Sequence, residues 1–184
     1  MGRPPRIDRS SVLTAGLAIA DERGLDALTL QAVADRLGVT PMALYRHVPG
    51  KAALLDGMVE LLLTNASLPP AELPWHERLE RLATGVRATA RRHPEVFSLL
   101  LQRPATTTEA RRLPDQVLAA LVAAGGPPAR ASRWERLLST AVLGFAVSEV
   151  AGRFAGHTSA ELDGDFEALL GMLRTAIEAE GASG

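Results

Sequence analysis

The side chains in this sequence that could make or break a covalent bond are few and scattered. Cysteine is absent, which excludes thiolate nucleophiles, thiolate metal sites and disulfides. The four histidines, His47, His76, His93 and His157, stand far apart. None has a second histidine at the i, i+4 spacing that puts two metal ligands on one helix face. No glycine-rich phosphate loop follows a strand, because no convincing strand pattern exists. Glu149 is the most conspicuous acid, since it interrupts an apolar helical stretch. Two readings stand for it: it faces solvent or pairs with Arg153 at i+4, or it lines a cavity and bonds a polar group of a ligand. His93-Pro94-Glu95 marks a helix boundary or touches that same ligand. No catalytic centre, cofactor or metal ion is expected.

The residue types that do gather belong to another chemistry. Thr40, Pro41, Met42, Tyr45, Arg46 and His47 fall on one short segment, and Lys51 follows. Methionine and proline offer apolar atoms to a thymine methyl, and an arginine can donate two hydrogen bonds to guanine. Thr40, Pro41, Met42 and Arg46 therefore suit base reading from the start of a helix in a major groove. Lys51 opens the next helix and can meet a phosphate beside that helix's free amides. Tyr45 and His47 serve either the interface or local packing.

These side chains need a rigid support, and the preceding residues supply one. Leu30, Val33, Ala34 and Leu37 recur at i, i+3, i+4 and i+7, one apolar stripe of a helix. Thr29 caps it, and Gly38 stops it in a left-handed conformation that glycine adopts cheaply. After Val39, Thr40-Pro41 is a cap with proline at the first helical position, and Leu44 and Val48 point inward. Two helices and a tight turn make a helix-turn-helix; an ordinary core hairpin is the alternative. An earlier helix starts near Asp8–Ser11 with Val12, Ala15 and Ile19 on one face and Leu13, Leu17 and Ala20 on the next, and ends at Gly24. Met1–Ile7 is a basic arm whose arginines reach DNA or stay solvated.

The run GVTPMALYRHVPGKAALLDGMVE resembles the DNA-reading segment of the tetracycline-repressor (TetR) family, over roughly residues 8–65. The resemblance implies that Gln31, Pro41, Met42 and Arg46 face bases. It implies that Thr29, Tyr45, His47 and Lys51 contact the DNA backbone. Tetracycline repressors also use a histidine shortly before an Arg-Pro pair to bind the drug's metal ion. Arg103-Pro104 is present here, but Leu99 occupies the matching position, and His93 lies six residues earlier. Leucine cannot ligate a cation.

Further along, Lys51 opens a helix apolar on two sides, with Leu55, Val59 and Leu62 on one and Leu54, Met58 and Leu61 on the other. It is expected to bridge two domains. Ser67–Pro74 is a linker. A helix from Trp75 to His93 turns Leu79, Leu82 and Val86 inward and Arg78, Arg81, Arg87, Arg91 and Arg92 mostly outward. A short helix over Glu95–Gln102, one capped by Thr106–Thr108, and two long ones follow. In Ala129–Gly156 the residues Leu137, Ala141, Gly144, Ser148, Gly152 and Ala155 form a stripe that admits another helix closely. The last helix, Ser159–Glu180, carries Phe166, Leu169, Leu170, Leu173 and Ile177, and GASG frays.

Apolar residues make up 47% of the 184, dominated by Ala and Leu, which favours helices. Net charge is −1, too balanced for a general nucleic-acid binder. Residues 1–51 hold seven basic against five acidic side chains, so the basic excess lies with the helix-turn-helix. No apolar stretch approaches the roughly 18 residues of a membrane span, and a cytoplasmic protein is expected. The expected fold is all-α with about nine helices: a helix-turn-helix DNA-binding domain over residues 1–50 and a ligand-binding and dimerisation domain over 51–184. The expected function is a ligand-responsive transcriptional regulator, most simply a repressor. The resemblance implies a homodimer paired through the last two helices, which the small-residue stripe permits, and release from a palindromic DNA operator by a small hydrophobic organic effector is expected. The alternative is a DNA-binding regulator governed by a protein partner. Phe97, Leu100, Leu101, Arg103, Val142, Phe145 and Glu149 are the candidate effector contacts.

Overall fold

The structure is a computed structural model and describes residues 7–103, 107–125 and 127–182. The expectations for the N-terminal arm, Pro104, Thr106 and the last two residues lie outside this set. Among the described residues the chain forms nine α-helices and no strand. It divides into two compact units, Met1–Thr64 with Arg92–Ala110, and Asn65–Arg91 with Arg111–Gly184.

In the first unit, α1 (Arg9–Arg23) begins at a capping box. Asp8 accepts from the Ser11 amide at 2.7 Å, and the Ser11 hydroxyl receives the Asp8 amide at 3.1 Å. Hydrogen bonding from Ser11, its backbone amide first, holds the Asp8 carboxyl below its ordinary pKa. A 3-10 turn (Leu25–Ala27) leads to α2 (Leu30–Leu37), whose first turn is closed by the Thr29 hydroxyl accepting from Ala32 at 3.0 Å. Gly38 ends α2 in the left-handed region, with φ 67°. The Val39 amide then returns to the Ala34 carbonyl and that of Gly38 to Asp35, which satisfies two carbonyls a helix end leaves bare.

α3 (Pro41–Leu44) is regular for four residues only, shorter than the spacing predicts. It continues as a helical turn in which the His47 and Val48 amides both reach the Leu44 carbonyl. Pro41 takes the first position as expected. Thr40 caps differently, since its side chain makes no capping bond and its backbone carbonyl closes the turn onto Ala43.

α4 (Lys51–Thr64) lies against α1 at two glycines. A Cβ on Gly57 would stand 2.6 Å from Leu13 Cδ2, and one on Gly16 would stand 3.0 Å from Met58 Sδ. A side chain at either position would require Leu13 or Met58 to shift. Leu54, Met58 and Val59 are thereby fully buried. α6 (Pro94–Phe97) and a 3-10 turn (Ser98–Leu101) replace the single short helix expected there. Val96 and Phe97 are buried, and α6 packs on α1 and α4. His93 Nδ1 meets Asp21 at 2.8 Å, and Arg103 pairs with Asp56.

The second unit holds α8 (Pro128–Val150), α9 (Ser159–Ala182) and all but the ends of α5 (Trp75–Arg92) and α7 (Thr108–Ala123). Thr107 caps α7 by accepting from Ala110. α8 stops sooner than expected. Gly152, at φ 73°, reverses the chain and the Arg153 amide returns to Ser148, so Gly152 and Ala155 of the small-residue stripe lie beyond the helix. Thr158 and Glu161 form a capping box that opens α9. Arg130 near the start of α8 bonds Glu180 near the end of α9, so the two helices run antiparallel.

Candidate nucleic-acid interface

In the recognition segment, burial alternates sharply with exposure. Leu44 and Val48 are 0% and 1% exposed and fix the segment to the core. Met42 is 75% exposed and Tyr45 50%. A core hairpin buries such side chains, because each large apolar group withdrawn from water contributes roughly 1.5–3 kcal/mol. The hairpin alternative is therefore set aside. Thr40 and Arg46 are also exposed, while Pro41 and His47 are half-buried. On α2, Thr29 and Gln31 are exposed at the helix start, and Gln31 Nε2 donates to Asp35 Oδ1 at 2.7 Å. Lys51 is exposed and donates one hydrogen bond to the Leu25 carbonyl at 3.3 Å. Its ammonium retains two further donors. Thr29, Gln31, Thr40, Pro41, Met42, Tyr45, Arg46, His47 and Lys51 thus belong to one compact unit.

The helix bearing Gln31 is tied down from its other side. Arg36 gives two hydrogen bonds to Glu22, both 2.7 Å, joining α2 to α1. The Arg36 hydrogen bonds hold the Glu22 carboxyl below its usual pKa. Arg36 contributes to the basic excess read from the sequence, yet it is engaged within the unit.

The candidate effector contacts are distributed differently. Phe97, Leu100, Leu101 and Arg103 belong to the first unit, and Val142, Phe145 and Glu149 to the second. Phe97 is buried, Leu100 half-buried and Leu101 58% exposed. Arg103 is held by Asp56. Val142 is buried, and Phe145 rests on Phe154 and Phe166 at centroid separations of 5.3 and 5.2 Å.

Glu149 overturns the solvent-facing or Arg153-paired reading. Its carboxylate accepts from Arg87 at 2.7 and 2.8 Å and from Arg91 at 2.6 and 3.0 Å. Both arginines also reach Asp163, at 2.9 and 2.8 Å. The Arg87 guanidinium lies over Phe145 and Phe166, 5.2 and 4.7 Å from their centroids. Burial alone would raise the Glu149 pKa, but the hydrogen bonds from Arg87 and Arg91 outweigh it and hold the carboxyl below its ordinary value. Arg78 and Arg87, expected mostly outward, are buried instead. Partnership accounts for Arg87, which has two carboxylates and two rings; Arg78 donates to Gln116, but its Nε is buried without a hydrogen-bond acceptor. Spacing held one clue. Arg87 and Arg91 stand at i, i+4, where like charges repel unless a carboxylate lies between them.

Two family descriptions match the chain. "Bacterial regulatory proteins, tetR family" covers residues 12–58 and "Tetracyclin repressor-like, C-terminal domain" covers residues 79–173. The chain belongs to the tetR family. The first match spans α2, α3 and their exposed recognition residues, and the second spans the Arg87–Glu149 cluster. Among tetR-family relatives, the chain is 39% identical over 106 residues to the HTH-type transcriptional repressor DrrR1 of Streptomyces coeruleorubidus, covering 56% of this chain and 39% of that protein. It thus spans about two fifths of that relative's length. The fold is similar to that of BioQ from Mycobacterium smegmatis, with a TM-score of 0.79 and 27% identity over 95% of this chain and 100% of that one. BioQ has also been solved with its double-stranded DNA operator, at 26% identity, a TM-score of 0.77 and coverage of 95% and 99%. A TetR variant from Acinetobacter baumannii AYE in complex with minocycline is similar at a TM-score of 0.81 and 28% identity, over 95% and 98% of the two chains.

Proposed function

We propose that this tetR-family chain is a transcriptional repressor that binds a pseudo-palindromic operator as a homodimer and leaves it when a small organic effector binds. The observation that carries the reading is the α3 segment, where Met42, Tyr45 and Arg46 are exposed while Leu44 and Val48 anchor the backbone beneath them. Pro41, Met42, Arg46 and Gln31 would read bases. Thr40 would join them at the start of α3, and Thr29, Tyr45, His47 and Lys51 would set the register on the phosphates. The relatives named as a repressor and as an operator complex support this reading.

One recognition helix reads only a few base pairs, so specificity calls for a second copy related by two-fold symmetry. The surface offered for pairing lies on α8 and α9. Leu137 is 49% and Met172 64% exposed, and nothing lies within 4 Å of a Cβ built on Gly144, Gly164 or Gly171. Release follows if the effector favours a conformation in which the two heads no longer match the operator spacing. Residues 1–50 would serve DNA and 51–184 the effector and the dimer.

Leu99 in place of a metal-binding histidine supports an effector that needs no metal ion. Val142 and Phe145 would offer it apolar contact. Glu149, satisfied by two arginines, acts instead as scaffold. We place the protein in the cytoplasm and assign it no catalysis; among the described residues no helix is long and apolar enough to cross a membrane.

The test is selection from randomised duplexes, followed by fluorescence anisotropy of the full chain on the selected site. A palindromic consensus bound far more tightly than scrambled DNA is expected. Equal affinity for both overturns the reading.

A further inference from the structure

Gln31 and Asp35 stand one turn apart on the exposed face of α2, and the glutamine amide nitrogen donates to Asp35 Oδ1 at 2.7 Å. A carboxylate has no hydrogen to give, so this contact fixes which way the amide points. Reversing it would bring the Gln31 carbonyl oxygen against the Asp35 oxygen, two acceptors facing each other. The carbonyl oxygen of Gln31 is therefore turned away from Asp35. An unconstrained glutamine can offer either end of its amide to a base. This one offers a carbonyl oxygen with one remaining N–H beside it, next to the second oxygen of a carboxylate.

We propose that Asp35 is a positioning residue for DNA specificity: by holding the amide nitrogen of Gln31 it directs that side chain to adenine first and cytosine second, and against guanine and thymine. The inference rests on the reading of α2 and α3 as the DNA-contacting helices. The major-groove edges supply the reason. Adenine presents the N6 amino group as donor and N7 as acceptor, which matches the free carbonyl and the remaining N–H of Gln31. Cytosine presents its N4 amino group alone. Guanine presents two acceptors, N7 and O6, and thymine one, O4, with a methyl group. Acceptors on this face of α2 meet acceptors on those two bases. Arg46, which only donates, is suited to guanine, so the two helices would read opposite base chemistries within one half-site.

The contact contributes little to folding, because an exposed i, i+4 pair is a weak stabiliser. Its loss should therefore appear as altered base preference, which a purely structural role would not move. The experiment selects a consensus from randomised duplexes with the full chain. It then measures affinity for the four single-base variants at each position, using wild type, Gln31→Ala, Asp35→Asn and the double variant Gln31→Glu with Asp35→Asn. In wild type, the position flattened by Gln31→Ala should rank adenine or cytosine above guanine and thymine by roughly ten-fold. Asp35→Asn lets the amide present either end, so that ranking should collapse to within a few-fold while the ranking at other positions stands. The double variant presents acceptors only, so adenine and cytosine should again rank above guanine and thymine, with cytosine now first because the substituted glutamate has no N–H for adenine N7.

A guanine or thymine preference at the Gln31 position overturns the proposal. So does an unchanged ranking in Asp35→Asn. If Asp35→Asn strengthens binding equally at every position, Asp35 acts only as a negative charge near phosphate, and the proposal again fails while the regulator reading stands. If no consensus emerges from wild type, the regulator reading itself falls, and this inference with it.

Discussion

The α3 segment and the α5–α8–α9 cluster are opposites in how they treat charged and aromatic side chains. In the cluster, Arg87, Arg91, Glu149 and Asp163 satisfy one another, and Phe145 and Phe166 lie under the Arg87 guanidinium. On α3, Met42, Tyr45 and Arg46 project from a buried anchor. A saturated cluster has used its bonding capacity to fix helices to one another and has little left for a ligand. An exposed set on a fixed backbone keeps its capacity for something else. Substitutions in the first region should therefore change stability, and those in the second should change binding with stability intact.

The largest effect is expected at Glu149. Replacing it with alanine leaves Arg87, whose side chain is 7% exposed, buried with only part of its carboxylate environment. Breaking such a pair from one side costs about 3–5 kcal/mol, to be read from denaturant unfolding of the full chain. A loss below about 1 kcal/mol would show that the cluster is as replaceable as a surface ion pair. The same group gives a pH dependence. Its folded pKa lies below the ordinary carboxylate value, so its stabilisation is full above that ordinary value and fades as the pH falls through the folded pKa. Glu149→Gln should flatten that acid limb of the stability profile. An acid limb unchanged in the variant would place the titration elsewhere.

Next in size is Gly57→Ala, where the added methyl meets Leu13 Cδ2 at 2.6 Å. Overpacking of this kind costs roughly 1–3 kcal/mol. Because α1 supports the helix-turn-helix, operator affinity should fall in step with unfolding stability. A variant as stable as the parent would show that Leu13 yields readily.

In the exposed region the two readouts should separate. Arg46→Ala should lose about 1–3 kcal/mol of discrimination at one base position, while stability stays within about 0.5 kcal/mol. Loss of stability on the same scale would mean that Arg46 packs rather than reads. Lys51→Ala is the mildest. Binding should weaken evenly across sequences, and the slope of log affinity against log salt should drop by roughly one. An unchanged slope would assign Lys51 to its bond with the Leu25 carbonyl alone.

The sequence announced the exposed region more clearly than the saturated one, for a physical reason. A helix-turn-helix is written locally: the stripe from Leu30 to Leu37, the left-handed Gly38 and the Thr40-Pro41 start lie within a dozen residues, and each takes its expected place except the Thr40 side chain. The nine helices among the described residues follow from periodicity and from stops such as Gly24 and Gly38. Glu149, by contrast, finds its partners 58 and 62 residues away, where local spacing is silent and the i+4 neighbour Arg153 is the only visible candidate. Gly16 and Gly57 were equally hidden, since a glycine within a helix shows its purpose only when the opposing helix is in place. The early end of α8 at Gly152 is masked in the sequence because small residues recur evenly past the turn.

DNA recognition by α3 is what most directly sets the two regions apart. Anisotropy of the full chain on its selected duplex and on a scrambled one, with wild type and Arg46→Ala matched for stability, tests it. The expected result is tight, sequence-dependent binding by wild type and relaxed discrimination at one position by the variant. Equal binding of both duplexes by wild type, or a variant indistinguishable from it, would contradict the assignment of that exposed face to DNA.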